Sequence, residues 1–187
     1  MKIRTAATGL SLLLFASLTF AQQDKPASAA PSAQDKAARP SPPAKASCSL
    51  GDGATITVDY SSPRAKGRKI FGGLVPYGEV WRLGANEATT FVVSSGVTVG
   101  GTKVPAGSYT IFAVPSADKW TLVISKKTAE WGTKYAGPDS DLARVDMKTS
   151  PLPAPMENFT ITFDKTGPGC TMRAEWEKTR ASVDITK

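Results

Sequence analysis

From Ala54 onward, apolar and polar residues alternate along this chain. In ATITVDY the apolar positions are Ile56, Val58 and Tyr60; in KWTLVISK they are Trp120, Leu122 and Ile124; in NFTITFD they are Phe159, Ile161 and Phe163. CTMRAEWEK repeats the pattern with Met172, Ala174 and Trp176, and ASVDITK with Ala181, Val183 and Ile185. A period of two puts every second side chain on one face, so these runs predict strands with one face buried. GSYTIFAVP is apolar at both parities, Tyr109, Ile111 and Ala113 against Phe112 and Val114, which predicts a strand covered on both sides. Turn signals at Gly100-Gly101, Pro105-Ala106-Gly107, Pro115 to Asp118 and Gly167-Pro168-Gly169 separate the strands at short intervals. No window carries the 3.6-residue stripe of a long amphipathic helix. Two packed antiparallel sheets bury many such faces economically. The expected fold is therefore an all-β antiparallel β-sandwich, with the jelly roll among the topologies that fit.

One segment departs from this rhythm. Between Ser61 and Thr90 the chain carries glycine at positions 67, 72, 73, 78 and 84 and proline at 63 and 76, with room for one short strand around Val80 to Leu83. Long irregular connections are uncommon in compact domains and often carry function. The run YSSPRAKGRKIFGGLVPYGEVWRLGANEATTF, followed by VPAGSYTIFAVP and by VISK and EWG, resembles a family of exported bacterial proteins catalogued as domain of unknown function 2911. Its Ser-Pro-Arg, Gly-Arg-Lys-Ile-Phe-Gly and Gly-Ala-Asn-Glu-Ala-Thr elements occur in order, and the resemblance covers essentially the whole domain. It implies an exported compartment and this domain extent, and it lends no activity.

The chain opens on Lys2 and Arg4, continues through an apolar stretch from Ala6 to Phe20, and reaches Thr19 and Ala21 before two glutamines. These are the three regions of a secretory leader, so residues 1–21 are read as a signal peptide cleaved after Ala21. Thr8, Gly9 and Ser11 interrupt the apolar stretch, which falls short of the ~20 residues of a spanning helix, and no membrane span is expected elsewhere. Residues 22–47 are rich in Ala, Pro, Ser, Lys and Gln and hold no aromatic and no β-branched residue. Such a stretch lacks the apolar surface to offset its ordering entropy, and it is read as a disordered linker. Residues 48–187 remain as a single domain.

Charge narrows the choice of partners. The net charge is +7, but the leader and the linker hold +4 of it, leaving the domain at +3. A balance that mild carries no electrostatic footprint for nucleic acid. The chain contains no histidine, which removes imidazole-ligated metals, Ser-His-Asp and Cys-His catalysis and imidazole bases. The two cysteines, Cys48 and Cys170, bracket the domain; in an exported chain such a pair is expected to form a disulfide. No metal and no cofactor is expected.

The candidate chemistry lies in the irregular segment. Arg64, Lys66, Arg68 and Lys69 form a dense basic run, with Arg82 downstream. Arg64, Arg68 and Arg82, with Asn86 and Glu87, are expected to gather around one concave patch. Tyr77 and Trp81 would form its apolar wall, and Glu79 or Glu87 would pair with the resting guanidiniums. This points to a small polar or anionic ligand, a saccharide among them, bound without catalysis. Two rival readings stand beside it: a glycosidase-like hydrolase using Glu79 and Glu87 as its carboxyl pair, and an envelope interaction protein in which the segment only plugs the space between the sheets. Ser61 or Ser62 with Lys66 or Lys69 could form a Ser-Lys pair, but nothing marks a nucleophile elbow. Asp139, Asp141 and Asp146 read as a surface turn in preference to a calcium loop. Trp120 and Trp176 read as core, whereas Trp81 and Trp131 fit either core packing or stacking on a sugar or cation.

Overall fold

The computed structural model describes residues 32–132 and 134–187. The expected leader and the first part of the expected linker lie outside the described residues. A short helix α1 (Ala33–Ala37) precedes β1 (Pro43–Ser49), β2 (Thr55–Ser61), β3 (Thr89–Val93), β4 (Val97–Val99), β5 (Thr102–Val104), β6 (Gly107–Pro115), β7 (Lys119–Ser125), β8 (Asp141–Thr166) and β9 (Gly169–Thr186). Among the described residues these strands form one ladder in the order β1-β2-β3-β6-β7-β8-β9-β4-β5, with every strand pair antiparallel. The all-β antiparallel class is as the alternation predicts. Most neighbours in the ladder are also neighbours in the chain, a meander and not the crossed order of a jelly roll.

A single ladder takes the place of two separate sheets because β8 and β9 are long and broken in register. β8 pairs with β7 over Asp141 to Lys148 and with β9 from Lys148 to Thr166, and the second pairing slips between Pro151 and Met156 and again between Met156 and Thr160. Proline cannot donate to a ladder, and extra residues on one strand bend it. Within the second slip, β8 meets the residues just after β2: the Phe159 amide donates to the Pro63 carbonyl at 2.9 Å and the Ser62 hydroxyl to the Phe159 carbonyl at 2.6 Å. The ladder thus folds back on itself as a sandwich-like body around one core.

Ile56, Val58, Ile111, Leu122, Ile124, Phe159, Ile161, Met172, Trp176 and Ile185 are buried in that core, on the faces that the period of two assigned, and Phe91 of β3 joins them. Phe163, near the end of β8, is only half-buried against it. The other face of β6 and β7 is covered too, since Phe112 and Val123 pack with Ala88, with Val114 beside them and Val80 and Tyr135 packed against the cluster. This is the doubly covered strand that GSYTIFAVP predicts. The disulfide joins Cys48 to Cys170 with Cα atoms 6.6 Å apart, across a sequence separation of 122. It ties β1 to the start of β9.

The ordered body reaches back into the segment that composition assigns to the linker. β1 pairs with β2 from Pro43 opposite Ser61 to Ser49 opposite Thr55, with Ala44 and Ala46 packed against the core. An edge strand bonds on one side only and tolerates proline at its first position, so two alanines and the bridged Cys48 suffice to hold it. α1 is closed by a capping box, in which the Ser32 hydroxyl accepts from the Asp35 amide and the Asp35 carboxylate accepts from the Ser32 amide. No helix among the described residues is long and apolar enough to cross a membrane.

Candidate functional site

The segment that leaves β2 at Ser61 and returns at β3 is held by its apolar residues. Ile70, Phe71, Val75, Trp81 and Leu83 are buried in the main core. Trp81 pairs with Ala113 of β6 through two backbone bonds of 2.8 Å, taking the place beside β6 where β3 has not yet begun. Its indole stacks on Trp176 at 5.9 Å and meets Trp120 and Phe159 edge-on, while Nε1 donates to the Gly84 carbonyl at 3.1 Å. Trp81 thus packs in the core and also lines the cleft described next. Leu83 adopts a left-handed φ of 51°, fixed by full burial of its side chain and by the Thr89 hydroxyl, which donates to its carbonyl at 2.8 Å. The next residue must be glycine because a Cβ at Gly84 would lie 2.9 Å from the Ser61 carbonyl oxygen.

On this support the polar residues divide between two clefts. The first, of about 320 Å³, is lined by Arg68, Arg82 and Glu79 and by an apolar wall that includes Leu74, Val80, Trp81 and Trp176. The Arg82 Nε is shielded from solvent and has no hydrogen-bond partner among the described residues, and burial pushes the guanidinium below its ordinary pKa. An arginine so placed still carries its charge at neutral pH. Arg68 is braced by the backbone, its Nε donating to the Ala65 carbonyl at 3.0 Å and its Nη2 to the Arg64 carbonyl at 2.7 Å. Arg64 donates from Nη1 to the carbonyl and the hydroxyl of Ser62, at 2.6 and 2.9 Å, and flanks a neighbouring hollow with Lys66 and Arg68.

The second cleft, of about 360 Å³, shares no lining residue with the first and contains Glu87, Glu130, Asp59 and Trp131. Arg39 Nη1 donates to both Glu87 oxygens at 3.0 Å, and Lys36 Nζ lies 3.2 Å from Glu87 Oε1. Burial raises the Glu87 pKa, but bonds from the residue's own amide and from Arg39 and Lys36 outweigh it and hold the carboxyl below its ordinary value. Glu130 shifts the other way, because burial exceeds the lowering by Lys127 and the Ala136 amide. The Trp131 indole is 57% exposed, so it is not a core residue.

The expected patch is therefore gathered in part. Arg68, Trp81 and Arg82 share a cleft with Glu79, as the segment's turns allow. Arg64 and Arg82 do not pair with Glu79 or Glu87: Ser62 satisfies the first and nothing described satisfies the second. Glu87 is drawn instead to the two bases that precede β1. Tyr77 folds over Gly72, where a Cβ would come within 2.8 Å of its ring, and does not line the Arg82 cleft. Asn86 reaches out of the segment, its Nδ2 donating to the Ser41 carbonyl at 2.9 Å. Asp141, its side chain nearly buried, accepts from the Tyr135 hydroxyl at 2.7 Å and from Arg144 at 2.8 Å, and the exposed Asp146 pairs with Lys119 at 3.1 Å, so both acids are engaged in ion pairs and hydrogen bonds within their own strands' surroundings. Lys36, Arg39, Ser41 and Glu130 were missed by sequence reasoning. The Ser32-Ala-Gln-Asp35 capping pattern was the available sign that the chain is ordered before β1.

Fold and site together define a histidine-free, disulfide-bridged antiparallel β module whose irregular segment carries a cationic, apolar-walled cleft. Over residues 41–185 the chain matches the family described as protein of unknown function (DUF2911), and it belongs to that family. No curated protein and no solved structure matches it.

Proposed function

We propose that this protein is an exported, non-catalytic module that binds a small anionic ligand, acidic saccharides included, in the cleft beside Arg82. The observation that carries this reading is the shielded, unpartnered Arg82 Nε in the wall of a cleft that also holds Arg68. A buried donor left unsatisfied costs roughly 1–3 kcal/mol, and a carboxylate or phosphate accepting from it would recover that cost only in the bound state. The wall formed by Leu74, Val80 and Trp81 suits the apolar face of a sugar ring or an aliphatic body beside the charged group. A carboxyl-pair hydrolase fits less well, since Glu79 lines this cleft while Glu87 lines the other and is held by Arg39.

A thermal-shift screen of uronic acids, sugar phosphates, nucleotides and organic acids against their neutral counterparts tests the reading. Acidic compounds are expected to raise the melting temperature while neutral ones do not, and no product should form. Equal shifts from neutral sugars, or turnover of any of them, would overturn it. Export is tested by intact mass: the mature chain is expected to begin at Gln22, and retention of Met1 contradicts it.

A further inference from the structure

The cleft around Glu87 has the opposite chemistry to the one beside Arg82. Its floor is set by the folded body: the Ala88 amide donates to the Glu130 carbonyl at 3.1 Å and the Gly132 amide to the Asn86 carbonyl at 3.1 Å. These two bonds clamp the Ala129–Gly132 turn to the Asn86–Ala88 turn, so Glu87, Glu130 and the Trp131 indole are held at one place without help from α1. What fills the place comes from outside that framework. Arg39, ahead of β1, sets its guanidinium on Glu87 with its Cζ 5.9 Å from the centre of the Trp131 ring. A carboxylate beside an open indole face is the pairing that recognises a guanidinium, through charge-assisted hydrogen bonds and cation–π attraction together.

The fit of Arg39 is incomplete. It meets both Glu87 oxygens through Nη1 alone, short of the two-nitrogen fork that a guanidinium can make, and the Glu130 Oε2 in the same cleft is shielded and has no partner among the described residues. A guanidinium free of the chain could form the fork and turn a second edge to Glu130. We propose that this cleft is a guanidinium-recognition site, for a peptide arginine or a small guanidinium compound, and that Arg39 occupies it in cis as a tethered stand-in. The short run from Arg39 to Pro43 keeps Arg39 at an effective concentration in the millimolar range, which any incoming ligand must exceed.

Titration calorimetry on the full chain tests this with acetyl-arginine amide, agmatine, a capped Ala-Arg-Ala peptide and acetyl-lysine amide. Arg39→Ala and Arg39→Gln are both expected to bind the arginine probes at least tenfold more tightly than the unaltered chain and to prefer them over the lysine probe. Adding Glu87→Gln to either should abolish the binding. Equal affinity for agmatine and the peptide assigns the site to the guanidinium alone, and tighter peptide binding assigns it to a peptide arginine. Folded Arg39 variants that gain no affinity, or binding that survives Glu87→Gln, would overturn the proposal and leave the anion cleft untouched.

Discussion

Arg82 and Glu87 stand five residues apart in sequence and meet opposite fates. Arg82 has lost water around its Nε without gaining a partner among the described residues, so its side chain opposes folding until an acceptor arrives. Arg82→Met keeps the apolar stem and removes the unmet donor; it is expected to leave the melting temperature unchanged or raise it by up to about 4 °C. A fall of several degrees would mean that the guanidinium is satisfied in the folded protein. Glu87 is paired, and its contribution has a definite pH sign. A carboxyl held below its ordinary pKa stabilises the fold fully above the unfolded value and loses that stabilisation as pH falls through the lower, folded value. Glu87→Gln should therefore cost about 1 kcal/mol or less at neutral pH, the scale of a half-exposed ion pair. The gap between its melting temperature and that of the unaltered chain should close only in acid; a gap that persists there would contradict the pairing.

Among the elements, the strands were legible because each buries one face, and alternation reports that directly. Trp120 and Trp176 could be assigned to the core on parity alone, whereas Trp81 could not, because its stacking partner Trp176 lies in a distant strand. β1 was illegible for a physical reason: an edge strand with alanine on its inner face has almost no hydrophobic signal, and composition reads it as linker. The site was half legible. Arg68 and Arg82 of the turn-rich segment did converge on one cleft, but Glu87 was drawn away from them by Arg39, in a stretch read as disordered. Tyr77 left the expected wall because Gly72 leaves room for its ring. The segment itself rests on Leu83 and Gly84, where the backbone takes conformations that side chains resist. Gly84→Ala would set a Cβ 2.9 Å from the Ser61 carbonyl, and is expected to cost more than about 1 kcal/mol and to lower the melting temperature accordingly. A neutral Gly84→Ala would show that the loop shifts freely.

For the whole molecule, two clefts of opposite charge draw on one segment, and the residues before β1 touch both: Ser41 lines the Arg82 cleft while Arg39 sits in the other. The disulfide from β1 to β9 secures the edge from which these residues extend. Closing a loop of 122 residues is worth about 4 to 5 kcal/mol by chain entropy. Reductant should lower the unfolding midpoint of the unaltered protein and leave Cys48→Ser/Cys170→Ser unaffected; a midpoint indifferent to reductant would refute that role. The central claim, that the Arg82 cleft takes an anion, is tested most directly by comparing one measurement in two proteins, the affinity of the best acidic ligand for the unaltered chain and for Arg82→Met. We expect the affinity to fall at least tenfold in Arg82→Met, with the fold at least as stable. An unchanged affinity would contradict the account.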